Sequence, residues 1–326
     1  MHIEQNKLNW IYKKLFTIRF FEERIKKIAK EKTVPGYLHT CIGSEAICVG
    51  VMSALNDDDW ISSTYRNHGH SIAKNCELKE ITSEIYGRST GICKGRGGSM
   101  HISDFDKGML GSFGIVAAGP PVVLGAALQE KINGGTKMSA TFFGDGAIHN
   151  GAFHEAAGLA KLWDIPMLFV CENNRYAEAT ATDWHINTKE LKDIAKAYDM
   201  ISYQGDGNNV FEVHQITRDA IIESRTKNTP IFLEFKNYRF SGQYEGDTQL
   251  YQPLEEIEEA KKNDPIKKSI EMAPQYNFTS DEIKQIQEDA LNEVNEAFDF
   301  AETQPWPNPE DALEEVYVNY PKELLI

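Results

Sequence analysis

Apolar side chains recur at helical spacing near the start of the chain and predict one long amphipathic helix over residues 5–32. The apolar face of this helix is formed by Leu8, Ile11, Leu15, Ile18, Phe21, Ile25 and Ile28. Pro35 and Gly36 follow it, and neither residue favours helical backbone, so the helix is predicted to end before them. The next apolar run predicts a second helix from Ser44 to Leu55.

Glycine interrupts the pattern between residues 60 and 114, which are predicted to be mostly loop with short helices. Eight glycines fall between residues 87 and 114. A glycine-rich stretch of this length inside a folded chain is usually functional or mobile. Within it, GRGGSMH at 95–101 is similar to a phosphate-binding nest of backbone amides, and we interpret it as a mobile loop near a channel.

The clearest pattern is a strand, a helix and a second strand between residues 138 and 174. MSATFFGDG is a short apolar run ending in a turn, HNGAFHEAAGLAKLW has helical spacing, and DIPMLFVCENN is a second apolar run. A crossover of this length makes the two strands parallel. A third strand is predicted at 230–235, after a helix across 210–227. The chain is therefore predicted to have an α/β fold with a mainly parallel sheet.

Acidic side chains are concentrated at the C-terminal end of the chain. The formal net charge is −15, yet the first 244 residues carry 28 acidic and 28 basic side chains, whereas the last 82 carry 21 acidic and 6 basic. Helical stretches are predicted there at 254–263, 280–301 and 310–317. No basic face is available for nucleic acid or for an anionic membrane, so we expect neither as a partner.

The overall composition, 41% hydrophobic and 25% charged, is typical of a globular protein. No apolar run reaches the ~18 residues of a membrane span, and the first ten residues lack the basic and apolar segments of a signal peptide. Five dispersed cysteines without a C-x-x-C pair disfavour both a disulfide framework and a zinc site. We therefore expect a cytoplasmic protein.

Polar side chains follow both strands of the strand–helix–strand unit. Asp145 follows the first strand, and Asn173 and Asn174 follow the second. Ligands bind where the carboxyl ends of parallel strands meet, and the amides of Gly146 and Ala147 begin the next helix, where a phosphate is favoured. Carboxylate, amide and phosphate oxygens suit Mg²⁺, so the spacing predicts a metal-bridged phosphate site. The alternative is that both segments are ordinary polar turns.

The two turns resemble the thiamine-diphosphate motif, in which G-D-G precedes N-N at this spacing; 26 residues separate them here. Other segments also have counterparts in one family: GYLHTCIGSEAICVGV, DDDWISSTYRNHGHSIAK, GRGGSMHI, GMLGSFGIVAAG and YRFSGQYEGD. Over residues 5–260 the chain resembles the alpha subunits of the thiamine-diphosphate-dependent dehydrogenase component of 2-oxo acid dehydrogenase complexes. The phrases MLGSFGIV, CENNRYAEAT and YEGD are most similar to the acetoin dehydrogenase type.

This resemblance implies a three-layer α/β/α fold that binds thiamine diphosphate and Mg²⁺. It implies a single domain over 1–326, with an N-terminal helix (1–35), an α/β core carrying the cofactor loops (36–252) and an acidic helical extension (253–326). The implied activity is cleavage of a C–C bond next to the carbonyl of a 2-oxo acid or acyloin. The acyl or aldehyde unit would pass to lipoamide or to another acceptor.

The resemblance also implies roles for particular residues. Mg²⁺ would be held by the side chains of Asp145 and Asn174 and the backbone carbonyl of Tyr176. Gly114 and Val116 would meet the aminopyrimidine through their backbone. The full set of implied cofactor-binding residues is Tyr65, Arg66, Gly114, Val116, Asp145, Gly146, Ala147, Asn174, Arg239 and Gln243.

Two histidines in the family motifs, His39 and His68, would be catalytic, with His39 near the thiazolium as an acid or a hydrogen-bond donor. The loop at residues 239–247, which we call the late loop, departs from the family pattern. Gln243 stands where the acetoin and pyruvate types carry a histidine, and no histidine follows His214. Glutamine can donate a hydrogen bond but cannot transfer a proton near neutral pH. This departure weakens the interpretation as a lipoamide-dependent dehydrogenase and leaves cofactor binding unaffected.

The chain contains one G-D-G…N-N pair and nothing that resembles a second, pyrimidine-binding half. The resemblance therefore implies a beta subunit in an α2β2 heterotetramer, and a lipoyl-domain acyltransferase as a further partner. One alternative is a biosynthetic carboligase or decarboxylase that does not use lipoamide, which Gln243 favours. The other is a non-catalytic subunit, which the presence of Asp145, Asn174, Arg66 and Arg239 argues against.

Overall fold

The computed structural model describes residues 3–188 and 190–313. The strands in these ranges are β1 Trp60–Thr64, β2 Met109–Phe113, β3 Ser139–Gly144, β4 Leu168–Asn173, β5 Tyr176–Ala177, β6 Thr180–Ala181, β7 Ile201–Asp206 and β8 Ile231–Lys236. Six of them form a parallel sheet in the order β2-β1-β3-β4-β8-β7, and β5 and β6 form a small antiparallel ribbon.

The described helices are α1 Gln5–Glu31, α2 Glu45–Ala54, α3 His68–Ala73, α4 Leu78–Ile85, α5 Gly119–Asn133, α6 Gly151–Leu162, α7 Thr182–His185, α8 Val210–Lys227, α9 Leu254–Lys261, α10 Pro265–Met272 and α11 Ser280–Thr303. Successive side chains of a strand point to opposite faces of the sheet. Accordingly, Phe142 packs with α2, α8 and the helices behind them, whereas Phe143 packs with α5 and α6. The predicted three-layer α/β/α fold is confirmed.

Most predicted elements are confirmed. The helices predicted over 5–32 and 210–227 are α1 and α8, and the helix predicted over 280–301 is α11. The half-exposed edge strand β7 was not predicted. Of the helix predicted over 310–317, the described residues include a short 3-10 helix ending at Leu313, and the remainder lies outside them. Within the described ranges, no helix has the length and apolar character needed to cross a membrane.

The prediction of loop and short helices over 60–114 was wrong at both ends, where β1 and β2 lie. β1 is an interior strand although it is rich in serine, so it lacks the apolar signature of a buried strand. Its hydroxyl groups are satisfied inside the protein, because Ser62 Oγ lies 2.9 Å from Thr141 Oγ1 and Ser63 Oγ lies 2.7 Å from His70 Nδ1. Hydrogen bonds to Thr141 and His70 thus satisfy the polar side chains of this buried strand.

The last long helix, α11, belongs to the main core despite its acidic sequence. Thr279 and Glu282 form a capping box at its start. Its apolar face is buried against α1 and α4, where the fully buried ring of Phe298 lies 5.3 Å from Phe21 and 6.2 Å from Tyr86. The acidic side chains of the helix lie mainly on the opposite, exposed face.

Replacing Phe298 by Ala should therefore lower the free energy of unfolding by about 3–5 kcal/mol, since the substitution leaves a cavity between α11, α1 and α4. The matched control is Leu291→Ala on the exposed side of α11, which should change stability by less than about 0.5 kcal/mol. Urea unfolding followed by circular dichroism measures both. Equal effects of the two substitutions would contradict this packing.

Candidate cofactor site

A cavity of about 390 Å³ lies at the carboxyl ends of β1, β3 and β4. The loops of a parallel sheet converge at this edge, and the volume lies in the range of small-molecule sites. Eleven of the residues that the sequence singled out line the cavity: Tyr65, Arg66, Gly114, Val116, Asp145, Gly146, Ala147, Asn174, Tyr176, Arg239 and Gln243. His39 and His68 are not among the lining residues.

Asp145 directly follows β3, and its side chain is almost completely buried. The hydroxyl of Thr182 donates to Asp145 Oδ2 at 2.8 Å, and His185 Nε2 lies 3.3 Å from the same oxygen. The other carboxylate oxygen, Oδ1, has no hydrogen-bond donor among the described residues. One oxygen is thus held by the protein, and the second is available to a metal ion.

The loop that follows β4 supplies the other two predicted metal ligands. Asn174 Oδ1 accepts a hydrogen bond from the amide of Tyr176 at 3.2 Å, which fixes the turn. Arg175 and Glu178 have positive φ angles of 76° and 53° in the same turn. Non-glycine residues with this backbone conformation are costly and cluster at functional sites.

Arg66 is buried in the wall of the cavity and donates to backbone carbonyls. Its Nη1 group donates to the carbonyl of Thr40, and its Nη2 group donates to the carbonyl of Gln243 at 2.9 Å. These bonds connect the loop after β1 to the late loop, so they position Gln243 at the cavity.

Arg239 is also buried, and the late loop folds around it. Its Nη1 group donates to the carbonyl of Tyr176 at 3.3 Å, and its Nη2 group donates to the carbonyl of Glu178 at 2.7 Å. Each carbonyl oxygen has two lone pairs, so the Tyr176 oxygen retains one for a metal ion. Burial, followed by repulsion from Arg66, lowers the pKa of Arg239.

The donor set of the cavity fits a metal-bound diphosphate. The ion pairs of the described residues leave Arg66 and Arg239 without a carboxylate partner. Two buried guanidinium groups in this state favour an anion. Position 146 has no room for a side chain, because a Cβ there would lie 2.7 Å from the Cβ of Ala177.

The mouth of the cavity is apolar. Val116 is 46% exposed and its neighbour Ile115 is 75% exposed, although both line the cavity together with Gly114. Ala117 has a positive φ of 62°, so this turn is another strained segment. Exposed aliphatic side chains beside a cavity mark a surface that a ligand or another protein covers.

His39 lies behind the cavity, with its ring 4.6 Å from the ring of Tyr65. Burial, together with repulsion from Arg66 and to a smaller degree from His68, lowers the pKa of His39 to about 3. The imidazole is therefore neutral at pH 7. In this state it can donate or accept a hydrogen bond, whereas it holds no extra proton to give as an acid.

His68 is completely buried and both of its ring nitrogens are engaged. Nδ1 lies 3.1 Å from Glu22 Oε2, and Nε2 lies 2.8 Å from Ser99 Oγ. These contacts join α1, α3 and the glycine-rich segment. The structure therefore gives His68 a position that connects three segments and does not bring it to the cavity.

The sequence did not single out Glu172, which also lines the cavity. Burial raises the pKa of Glu172 to about 7, although Arg66 acts in the opposite direction. Its Oε1 atom lies 3.6 Å from Nε2 of His70, whose pKa burial lowers to about 3. Burial thus favours the uncharged forms of both groups.

Thr182, His185 and Glu234 were also missed as residues of the site. Thr182 and His185 lie 37 and 40 positions after Asp145 in the chain, yet both contact its carboxylate. Glu234 is buried and accepts a hydrogen bond from the side chain of Asn173. The one sequence feature that could have indicated Glu234 is that it is a charged residue within the apolar strand PIFLEF.

These observations define a class of protein. A carboxylate and an asparagine turn at adjacent parallel strands lie on one cavity beside two buried arginines that have no carboxylate partner among the described residues, which is the arrangement expected of a diphosphate-binding half. The chain belongs to the dehydrogenase E1 component family, whose model matches residues 13–310. Family membership implies thiamine diphosphate as the cofactor and an oxidoreductase activity.

Curated relatives cover nearly the whole chain. The alpha subunit of the acetoin:2,6-dichlorophenolindophenol oxidoreductase of Bacillus subtilis is 39% identical, over 99% of this chain and 97% of its own length. The corresponding subunit of Cupriavidus necator is also 39% identical, over 98% and 96%. The pyruvate dehydrogenase E1 component subunit alpha of Rickettsia bellii is 32% identical, over 94% of both chains. The resemblance to alpha subunits of this family is confirmed.

The lowered pKa of His39 predicts a pH dependence of stability. Below its ordinary pKa of about 6.5, His39 binds a proton in the unfolded chain but not in the folded chain until the pH approaches about 3. Stability is therefore lost as the pH falls through this window. Between pH 7 and pH 5, His39 should contribute a loss of about 2 kcal/mol.

Urea unfolding at several pH values measures this contribution by comparison with His39→Gln. The variant should lose about 2 kcal/mol less than the natural protein between pH 7 and pH 5. His214, whose pKa is also lowered, is present in both proteins and cancels in the comparison. Parallel pH profiles of the two proteins would show that folded His39 is protonated normally.

Proposed function

We propose that this chain is the diphosphate-binding alpha subunit of an acetoin- or 2-oxo-acid-cleaving enzyme. The observation that carries the proposal is the convergence of Asp145, Asn174, Arg66 and Arg239 on one cavity at the carboxyl edge of the sheet. The acetoin-oxidising relatives, which are 39% identical, favour an acyloin as the substrate.

Mg²⁺ would be held by Asp145 Oδ1, the side chain of Asn174 and the carbonyl of Tyr176. The diphosphate would lie against Arg66 and Arg239. When bound, thiamine diphosphate supplies a nucleophilic carbon that attacks the substrate carbonyl and accepts the electron pair left by C–C cleavage. The protein would orient the cofactor through these groups, since hydrogen bonds within the chain fix each of them.

Gln243 would face the substrate as a hydrogen-bond partner, and neutral His39, which lies behind the cavity against the ring of Tyr65, would support the site from there. The neutral imidazole donates from one ring nitrogen and accepts at the other. Gln243 lines the cavity, and its position is fixed through its backbone. The substrate carbonyl can therefore be polarised without a charged acid on this subunit.

The exposed apolar mouth supports a beta subunit as the partner in an α2β2 heterotetramer. Ile115, Val116 and Trp184 are 75%, 46% and 87% exposed. The first two line the cavity, and Trp184 lies in α7, whose Thr182 and His185 contact Asp145. A protein partner that covers them would exclude water from the cavity and supply the pyrimidine-binding half. The chain would act in the cytoplasm.

A second candidate function is a thiamine-diphosphate carboligase or decarboxylase that does not use lipoamide. Gln243 favours it, because glutamine cannot supply a proton near neutral pH to the sulfur that leaves when the disulfide of lipoamide accepts the acyl unit. In the first function, a lipoyl-domain acyltransferase takes the acyl unit. In the second function, the intermediate reacts with an aldehyde or a proton in place of the lipoyl group.

Replacing Asp145 by Ala should abolish Mg²⁺-dependent binding of thiamine diphosphate, since it removes a metal ligand and the acceptor for Thr182. The matched control is Asp219→Ala on the exposed side of α8, which should leave binding unchanged. Calorimetric titration of the assembled enzyme with thiamine diphosphate, with and without Mg²⁺, measures binding. Retained binding in the Asp145→Ala enzyme would overturn the metal assignment.

Replacing Gln243 by His separates the two candidate functions. The contacts of Gln243 with Asp247, Tyr251 and Arg66 are made by its backbone, so the substitution preserves them. Turnover of acetoin or pyruvate is measured with a dye oxidant and with a lipoyl domain. If the natural enzyme is a carboligase, adding the lipoyl domain should not change its turnover, and its product should contain a new C–C bond. Gln243→His should then raise lipoyl-dependent turnover about tenfold or more. Stimulation of the natural enzyme by lipoyl domain would instead establish the dehydrogenase function.

A further inference from the structure

The segment after β4 leaves the main sheet at residue 174, and a 3-10 helix begins at Leu191. It carries two of the proposed Mg²⁺ ligands, Asn174 and Tyr176. It also carries Thr182 and His185, which contact the third ligand, Asp145. A long loop between two fixed ends has many conformations, so its ends must be held for its ligands to be placed. We call the described residues of this segment, 174–188 and 190, the metal loop.

One buried side chain contacts both ends of the metal loop. Glu234 lies on β8 and has no exposed surface. Its Oε1 atom accepts a hydrogen bond from Asn173 Nδ2 at 2.8 Å, immediately before the loop. Its Oε2 atom accepts a hydrogen bond from the amide of Lys192 at 3.0 Å, immediately after the loop.

The first of these contacts extends toward the metal side. Asn173 Oδ1, the other end of the amide held by Glu234, accepts from the amide of Arg175 at 3.4 Å and lies 3.5 Å from Thr182 Oγ1. The hydroxyl of Thr182 in turn donates to Asp145. A continuous set of polar contacts thus runs from β8 through the start of the metal loop to the carboxylate on β3.

We propose that Glu234 is a positioning residue for the metal site, because it joins both ends of the metal loop. The inference rests on the proposed function, in which this loop holds Mg²⁺. Partners behind the direct ligands of a metal typically change its affinity 10–100-fold when they are removed. Glu234 does not touch the metal or the substrate, so its effect is transmitted through Asn173 and Lys192.

The test uses Glu234→Gln in the assembled enzyme. A carboxylate accepts at both oxygens, whereas an amide accepts at one and donates at the other. Either orientation of the new side chain therefore places a donor against Asn173 Nδ2 or the Lys192 amide. The Mg²⁺ concentration needed for half-maximal binding of thiamine diphosphate should rise about tenfold or more.

A double variant provides the compensating change. In Asn173→Asp with Glu234→Gln, the new carboxylate accepts from the new amide and from the amide of Arg175, while the glutamine oxygen accepts from Lys192. This variant should return the Mg²⁺ requirement to within about threefold of the natural enzyme. It also decides the proposal if Glu234→Gln alone does not fold.

The matched control is Glu45→Gln. Glu45 is equally buried and also accepts a hydrogen bond from a backbone amide, that of Gly43, but its other partner is Arg19 at the opposite side of the core. Its substitution should lower the melting temperature without changing the Mg²⁺ requirement. An unchanged Mg²⁺ requirement in folded Glu234→Gln, or an equal change in Glu45→Gln, would overturn the proposal.

Hydrogen exchange separates failure of this inference from failure of the proposed function. Amides of the metal loop and of Lys192 should exchange faster in Glu234→Gln than in the natural protein, without any ligand, and those of α8 should not. If the natural enzyme binds its cofactor without Mg²⁺, the proposed metal site fails, whereas this exchange pattern still holds. If exchange in the metal loop is unchanged, Glu234 does not position it.

Discussion

Two buried guanidinium groups without a carboxylate partner are the constraint around which the site is organised. Arg66 and Arg239 lie close enough that repulsion from Arg66 contributes to the lowered pKa of Arg239. Removing such groups from water is costly unless their donors are satisfied, and the chain satisfies them with backbone carbonyls of three loops. Carbonyl oxygens hold the arginines in place without neutralising them. The remaining positive charge is therefore available to an anionic ligand.

The same hydrogen bonds explain why strained backbone persists around the cavity. Arg239 donates to the carbonyls of Tyr176 and Glu178, and Glu178 itself has a positive φ. A left-handed non-glycine residue costs of order 1–3 kcal/mol and survives only where its surroundings determine the conformation. Here the hydrogen bond from the buried guanidinium of Arg239 fixes the backbone conformation of Glu178. The turn beside the proposed metal ligands is thus held from the late loop, by a residue 61 positions away from Glu178.

The sequence predicted the parts of this molecule that depend on local pattern. The spacing of apolar residues predicted α1 and α8, and the turns at Asp145 and Asn174 predicted where the site lies. It could not predict β1, because the reason for burying Ser62 and Ser63 lies in partners elsewhere in the chain. For the same reason it missed the contacts of Asp145 with α7, and it placed His68 at the cavity. Motif membership gives no information on which atoms a side chain faces after folding.

The glycine-rich loop shows how a phosphate-like motif can already be satisfied. The backbone amides of Cys93 and Gly95 donate to one carboxylate oxygen of Glu84, and those of Gly97 and Gly98 donate to the other, at 2.7–3.0 Å. Four converging amides form an anion nest, and a carboxylate from α4 occupies it. The proposed cofactor cavity differs in this respect: among the described residues, no carboxylate pairs with its two arginines and no hydrogen-bond donor reaches the Oδ1 atom of Asp145. An anion site that the chain fills itself fixes a loop, whereas one that it leaves unpaired binds a ligand.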